Sequence, residues 1–151
     1  MKKAIIIGEP GVDIKGFAEA ISVNFDLPLY YLHNVYKIDE KDLEKGFCFS
    51  DRVSETAKRD EWIICSSYDV DYLEIICSEC DTIFLFDYPK ETCRNLIGDL
   101  DDISWYAFVR FFRDYKPEIF KKLEKYTDKS FITFKTEEEK NYYIDKIIRK
   151  N

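Results

Sequence analysis

The sequence predicts a three-layer α/β sandwich: one five-stranded parallel sheet with helices on both faces. Three observations carry this. Five short apolar runs alternate with segments whose apolar residues fall at helical spacing. Such alternation implies parallel strands joined by right-handed crossovers. The first run, Ala4 to Ile7, passes through a Gly8–Pro10–Gly11 turn into a helical segment. There is no internal repeat, low-complexity tract or Pro/Gly/Ser-rich linker. A length of 151 residues therefore predicts one domain over 1–151 with a sizeable core.

The elements can be taken in chain order. Ala4 to Ile7 reads as a buried strand ending in the Gly–Pro turn. Ile14, Phe17, Ala18, Ile21 and Phe25 share one face of a helix. Residues 28–32 read as a second strand. Residues 39–60 are charged and helical in tendency, with a break at Gly46. Residues 61–65 make a third strand and Tyr72 to Cys77 a short helix. Residues 82–86 make a fourth strand, stopped by Pro89. From Trp105, the residues Phe108, Val109, Phe112 and Tyr115 mark a helix. Pro117 suits the first turn of another, which buries Phe120 and Leu123. Residues 130–134 form the fifth strand. Thr136 with Glu139 is a capping-box pattern opening a last helix, expected to bury Tyr143, Ile144, Ile147 and Ile148.

A formal charge of −7 argues against nonspecific nucleic-acid or anionic-membrane binding, since both need basic surface. The charge run from Lys129 to Lys150 reads as a solvated helix face. No apolar run is long enough to span a bilayer. The start does not resemble a cleaved signal, so a cytoplasmic protein is expected. Five cysteines, an odd number, then read as free thiols. Cys77 and Cys80 form a C-x-x-C at a helix end. A zinc site would need two more ligands, and His33 is the one histidine. No metal site is expected.

The first strand with its loop and helix, "EWIIC", "DTIFLFDYPKETC" and "FVRFFRDYKPEIFKKLEKY" together resemble one family. They are similar to small P-loop proteins described as adenylate-kinase-like or DNA topology modulation proteins. The resemblance covers most of the chain. It implies a nucleoside or nucleotide kinase fold, with a phosphate loop after the first strand and an arginine-bearing lid. It also implies a nucleotide or other small phosphate ligand, with ATP and magnesium as cofactors if the site works.

A working loop reads G-x-x-x-x-G-K-[ST]. From Gly8 the pattern falls on Gly8, Glu9, Pro10, Gly11, Val12, Asp13, Ile14 and Lys15. Gly8 matches, and Pro10 and Gly11 fit the family's common variant. Asp13 stands at the second glycine, Ile14 at the lysine and Lys15 at the magnesium hydroxyl. Asp13 brings negative charge to an anion site, and it is also a natural cap for the helix amides. Ile14 removes the cation. Lys15 has no lone pair for a metal, and sits roughly 100° round the helix from the lysine position.

Other family positions differ too. An Asp often follows the second strand; here the stretch is "LHNVY". "D-G-N-Y" often follows the third; here it is Cys65, Ser66, Ser67, Tyr68. Asp87 keeps the family's "DYP". The lid stretch from Lys90 to Ile103 holds two basic and four acidic residues, which suits a transferring phosphoryl group poorly. Arg110 and Arg113, on the next helix, are the best remaining phosphate contacts. The candidate nucleotide-binding residues are thus Gly8, Pro10, Gly11, Asp13, Lys15, Asp87, Arg110 and Arg113. Three functions are open: a pseudoenzyme with weak or absent phosphotransfer that binds a ligand or partner protein, a working kinase using Lys15, Arg110 and Arg113, or a protein-interaction module.

Overall fold

The computed structural model describes residues 1–35, 41, 44–46, 48–66 and 72–150. The elements are β1 (Lys3–Ile7), α1 (Ile14–Phe25), β2 (Leu29–Tyr31), α2 (Leu32–Val35), α3 (Phe49–Ala57), β3 (Trp62–Ser66), α4 (Leu73–Glu79) and β4 (Thr82–Phe86). Then come α5 (Lys90–Ile97), α6 (Asp102–Arg110), a π-helical segment (Phe111–Tyr115), α7 (Lys116–Leu123), β5 (Ser130–Phe134) and α8 (Glu137–Lys150). The sheet has five strands in the order β2-β3-β1-β4-β5, and every pairing is parallel. The expected α/β fold and central first strand are thus present.

Strand alternation builds two cores. Ile5 and Ile7 of β1, Ile64 of β3 and Ile83 of β4 face Val53, Leu73, Ile76, Ile119 and Leu123. Ala4, Ile6, Ile63 and Phe84 point the opposite way, towards Phe17, Ala18, Ile21 and Ile147. The three central strands, β1, β3 and β4, are buried on both faces, so they read as continuous apolar runs rather than alternating ones. Phe17 sits edge-on to Phe84, Phe86 and Phe134 at 5.3–5.4 Å between ring centroids. Each such ring contributes about 1.5–3 kcal/mol by leaving water.

Several expectations need correction. Phe25 and Ile148 are exposed, although Leu27 and Ile147 close by are buried in the core. Tyr143, Ile144 and Phe120 are only half-buried. Lys140 is buried rather than solvated; its ammonium meets Glu137 at 3.1 Å, and Glu137 accepts the Tyr88 hydroxyl. His33 lies in the short helix α2, its ring 5.9 Å from that of Tyr31. Thr136 does cap α8: its hydroxyl accepts the Glu139 N–H, and Glu139 accepts the Lys135 N–H. Gly46 has φ +81°, in keeping with a break. Residues 39, 40, 42, 43 and 47 of the charged stretch, and residues 36–38 before it, lie outside the described residues.

The largest difference is at Pro117. The backbone stays helical from Asp102 to Leu123. Proline has no N–H and disfavours an α turn before it. Here the preceding turn widens, and the Lys116 N–H bonds to the Phe111 carbonyl five residues back. The helix continues past the proline through a π turn.

Candidate functional site

All five strands point their carboxyl ends at one crest, where ligands bind in open parallel sheets. The 8–16 loop leaves β1 there, and four of its amides are bonded within the chain. Gly8 donates to the Ser66 carbonyl at 3.0 Å, Val12 to Glu9 at 3.3 Å and Ile14 to Val12 at 2.9 Å. Asp13 is the N-cap of α1, and its Oδ1 accepts the Gly16 N–H at 2.9 Å. These include amides that a phosphate would otherwise recruit at a helix N-terminus. Gly11 has φ +88°, and a Cβ there would stand 2.8 Å from the Cys93 carbonyl oxygen and 2.9 Å from Ile97. The loop therefore packs closely on α5.

Beside the loop lies an ion cluster that sequence reasoning missed. Glu9 is only 3% exposed. Its Oε1 accepts the Tyr88 N–H at 2.6 Å, and its Oε2 meets the Lys116 Nζ at 2.9 Å. The same ammonium reaches Asp87 Oδ1 at 2.9 Å and the Tyr88 carbonyl at 3.0 Å. An ammonium has three N–H donors. In Lys116 all three have an oxygen. The rings of Phe112 and Phe120 lie 5.2 and 5.5 Å from the ammonium and add cation–π attraction.

Burial pushes the Glu9 carboxyl up, while the Lys116 and Tyr88 hydrogen bonds pull it back without cancelling that rise. Burial alone would lower Lys116; its bonds to Asp87 and Glu9 outweigh this and raise it. Both Glu9 oxygens already accept hydrogen bonds, the pattern of an ionised carboxylate. We therefore read an ion pair at neutral pH. The π turn brings Lys116 to this position, and the end of β4 supplies Asp87 and Tyr88. One signal was visible in sequence: Lys116 opens "KPEIFKKLEKY". Glu9, though inside the loop pattern, occupies one of its unrestricted positions.

The candidate residues are not gathered at one point. Gly8, Pro10, Gly11 and Asp13 form the loop, and Asp87 faces it through Lys116. Lys15 is exposed, and its ammonium meets no described residue. Arg113 pairs with Asp114 at 3.0 Å, and Arg110 lies 3.8 Å from the same carboxylate. Neither arginine contacts a described loop residue. Arg94 lies over the Trp105 ring and donates to the Gly98 carbonyl. Ser66 is buried at the end of β3; Ser67 and Tyr68 lie outside the described residues. Cys77 and Cys80 are both buried, and the Cys80 thiol contacts the Cys77 carbonyl at 3.4 Å. Burial pushes the Cys65 and Cys93 thiols up to about 12.

The residues do not fit magnesium in the usual way. The hydroxyl position holds an ammonium, and Asp87 is engaged by Lys116. Among the described residues, no group of three His, Cys, Asp or Glu side chains is placed to hold a metal ion. Pro10 and Gly11 line a pocket of about 290 Å³ with Ile97, Leu100, Ala107 and Phe108. No described helix is long and apolar enough to cross a membrane.

No protein-family model and no curated protein sequence matches the chain. Solved structures do. A gluconokinase from Sinorhizobium meliloti 1021 aligns with a TM-score of 0.60 and 10% identity, over 98% of this chain and 92% of that one. A shikimate kinase from Acinetobacter baumannii, in complex with shikimate, gives 0.59 and 11%, over 99% and 91%. A shikimate kinase from Aquifex aeolicus vf5 gives 0.57 and 14%, over 98% and 94%. The chain has the fold of the small P-loop kinases.

Proposed function

We propose that residues 1–151 form a single P-loop kinase-like domain that has weak or no phosphotransfer and acts by binding. One observation carries this reading: every donor of Lys116, the cation beside the loop, is bonded within the chain. A phosphate would have to compete with two carboxylates for it. Asp13, Ile14 and Lys15 support the same reading, since each differs from what nucleotide binding needs. A charged hydrogen bond is worth about 1.5–3 kcal/mol, so the loss of several lowers nucleotide affinity by orders of magnitude. We place the protein in the cytoplasm.

The ligand of such a binding role is a small molecule or a partner protein. The pocket bounded by Pro10, Gly11 and Phe108 favours the former. The working-kinase alternative rests on Lys15, Arg110 and Arg113, and the positions of these three give it no support. The neighbours' names as kinases keep it the alternative to test. Calorimetric titration with ATP, with and without magnesium, and an assay of γ-phosphate release decide between them. Little or no turnover is expected, and binding no tighter than millimolar. Magnesium-dependent turnover at the rate of an ordinary kinase would overturn the proposal.

A further inference from the structure

We infer that Lys116 is the cation of a small oxyanion site, and that Asp87 occupies this site as an internal stand-in for the ligand. The inference rests on the binding role proposed above and adds a ligand class and a displaceable residue.

The two carboxylates on Lys116 are not equivalent. The Glu9 side chain is 2% exposed, and that of Asp87 is 33% exposed. Glu9 is also fixed at its second oxygen by the Tyr88 N–H. The Asp87 carboxylate has no side-chain contact besides Lys116 among the described residues. The Lys116 side chain is itself 16% exposed, between the two carboxylates in accessibility. An anion arriving from solvent therefore meets the Asp87 arm first. A side chain on the solvent side can rotate into water at little cost, whereas Glu9 would be left buried and unpaired.

The exchange keeps the charge pattern. Glu9 and Lys116 remain a neutral pair, and the ligand's oxygen takes the place of the Asp87 oxygen. The rings of Phe112 and Phe120, 5.2 and 5.5 Å from the ammonium, stay beside it during the exchange. The groups facing Lys116 are Glu9 from the loop, Asp87 and the Tyr88 carbonyl after β4, and these two rings. Apart from Lys116, none of them is cationic. The site is consequently weak for anions while Asp87 is present and ionised.

The test is calorimetric titration with inorganic pyrophosphate, without metal, at pH 7.5 and low salt. Asp87→Ala should bind at least tenfold tighter than the unmodified protein. Glu9→Gln should gain less. Asp87→Ala with Lys116→Met should lose the gain. ADP should bind Asp87→Ala about as well as pyrophosphate does, because only phosphate is read. The inference is overturned if Asp87→Ala gains nothing, if the gain survives loss of Lys116, if Glu9→Gln gains more, or if ADP alone binds. Circular dichroism checks the fold, and Asp87→Asn serves if the alanine variant does not fold. Turnover of ATP by the unmodified protein at the rate of an ordinary kinase would instead sink the proposed function, so the two failures are distinguishable.

Discussion

Replacing Lys116 with methionine isolates the buried charge. Methionine is close in length and replaces the lysine's stem with an apolar one beside the Phe112 and Phe120 rings, so little cavity forms. What is lost is the partner of Glu9, a carboxylate with a 2% exposed side chain. Removing one member of a buried pair costs about 3–5 kcal/mol. The Asp87 arm is one-third exposed and adds less than about 1 kcal/mol. For a chain of this size each kcal/mol shifts Tm by roughly 2–4 °C. A fall of about 10 °C is therefore expected at pH 7.5.

The sign with pH is a second check. The folded-state pKa of Glu9 is already raised by burial, and it rises further without the ammonium. A carboxyl raised in the folded state gains stability as pH falls through that raised value towards its unfolded one. The deficit of the variant should therefore shrink on acidification from pH 8 to 5.5. Urea melts followed by fluorescence of the buried Trp62 would measure it. Glu9→Gln combined with Lys116→Met should recover much of the loss, since Gln can still accept the Tyr88 N–H. A Tm change under about 2 °C, or a deficit independent of pH, would refute the reasoning.

Further outcomes are expected around the loop. Asp13→Ala should cost about 1 kcal/mol, the usual value of an N-cap, read as a small drop in Tm. Gly11→Ala should cost about 1–3 kcal/mol, because φ is +88° and the added carbon meets Cys93 and Ile97; an unchanged melt would contradict the packing. Asp13→Gly, Ile14→Lys and Lys15→Ser together should raise ATP affinity in calorimetry. No gain in a folded triple variant would mean that the limiting defect lies elsewhere, with the Lys116 cluster the first candidate.

The sheet was legible because the doubly covered strands β1, β3 and β4 are apolar almost throughout, and the edge strands β2 and β5 are short apolar runs as well. The Asp13 cap was legible because capping is local, spanning three residues. The Glu9–Lys116 pair was not, because its members lie 107 positions apart and no periodicity links them. Lys140 was misread from charge alone; its burial depends on Glu137 and Tyr88, the latter contributed by a different part of the chain. Phe25 and Ile148 share a helical period with buried residues and are exposed nonetheless. A period shows which residues share a face, and not how much of that face the neighbouring layer covers.

The π turn also makes the site depend on chain length. It holds one residue more than an α turn over the same stretch, so α7 is offset by about 100° and 1.5 Å. Deleting one residue between Phe111 and Tyr115 would keep Lys116, Glu9 and Asp87 in the sequence yet turn the lysine away from the carboxylates. Its stability loss should match that of Lys116→Met. Two chains with the same three side chains can thus differ in whether the cluster exists. The number of residues between Phe108 and Pro117 is a better guide to it than the presence of a lysine before the proline.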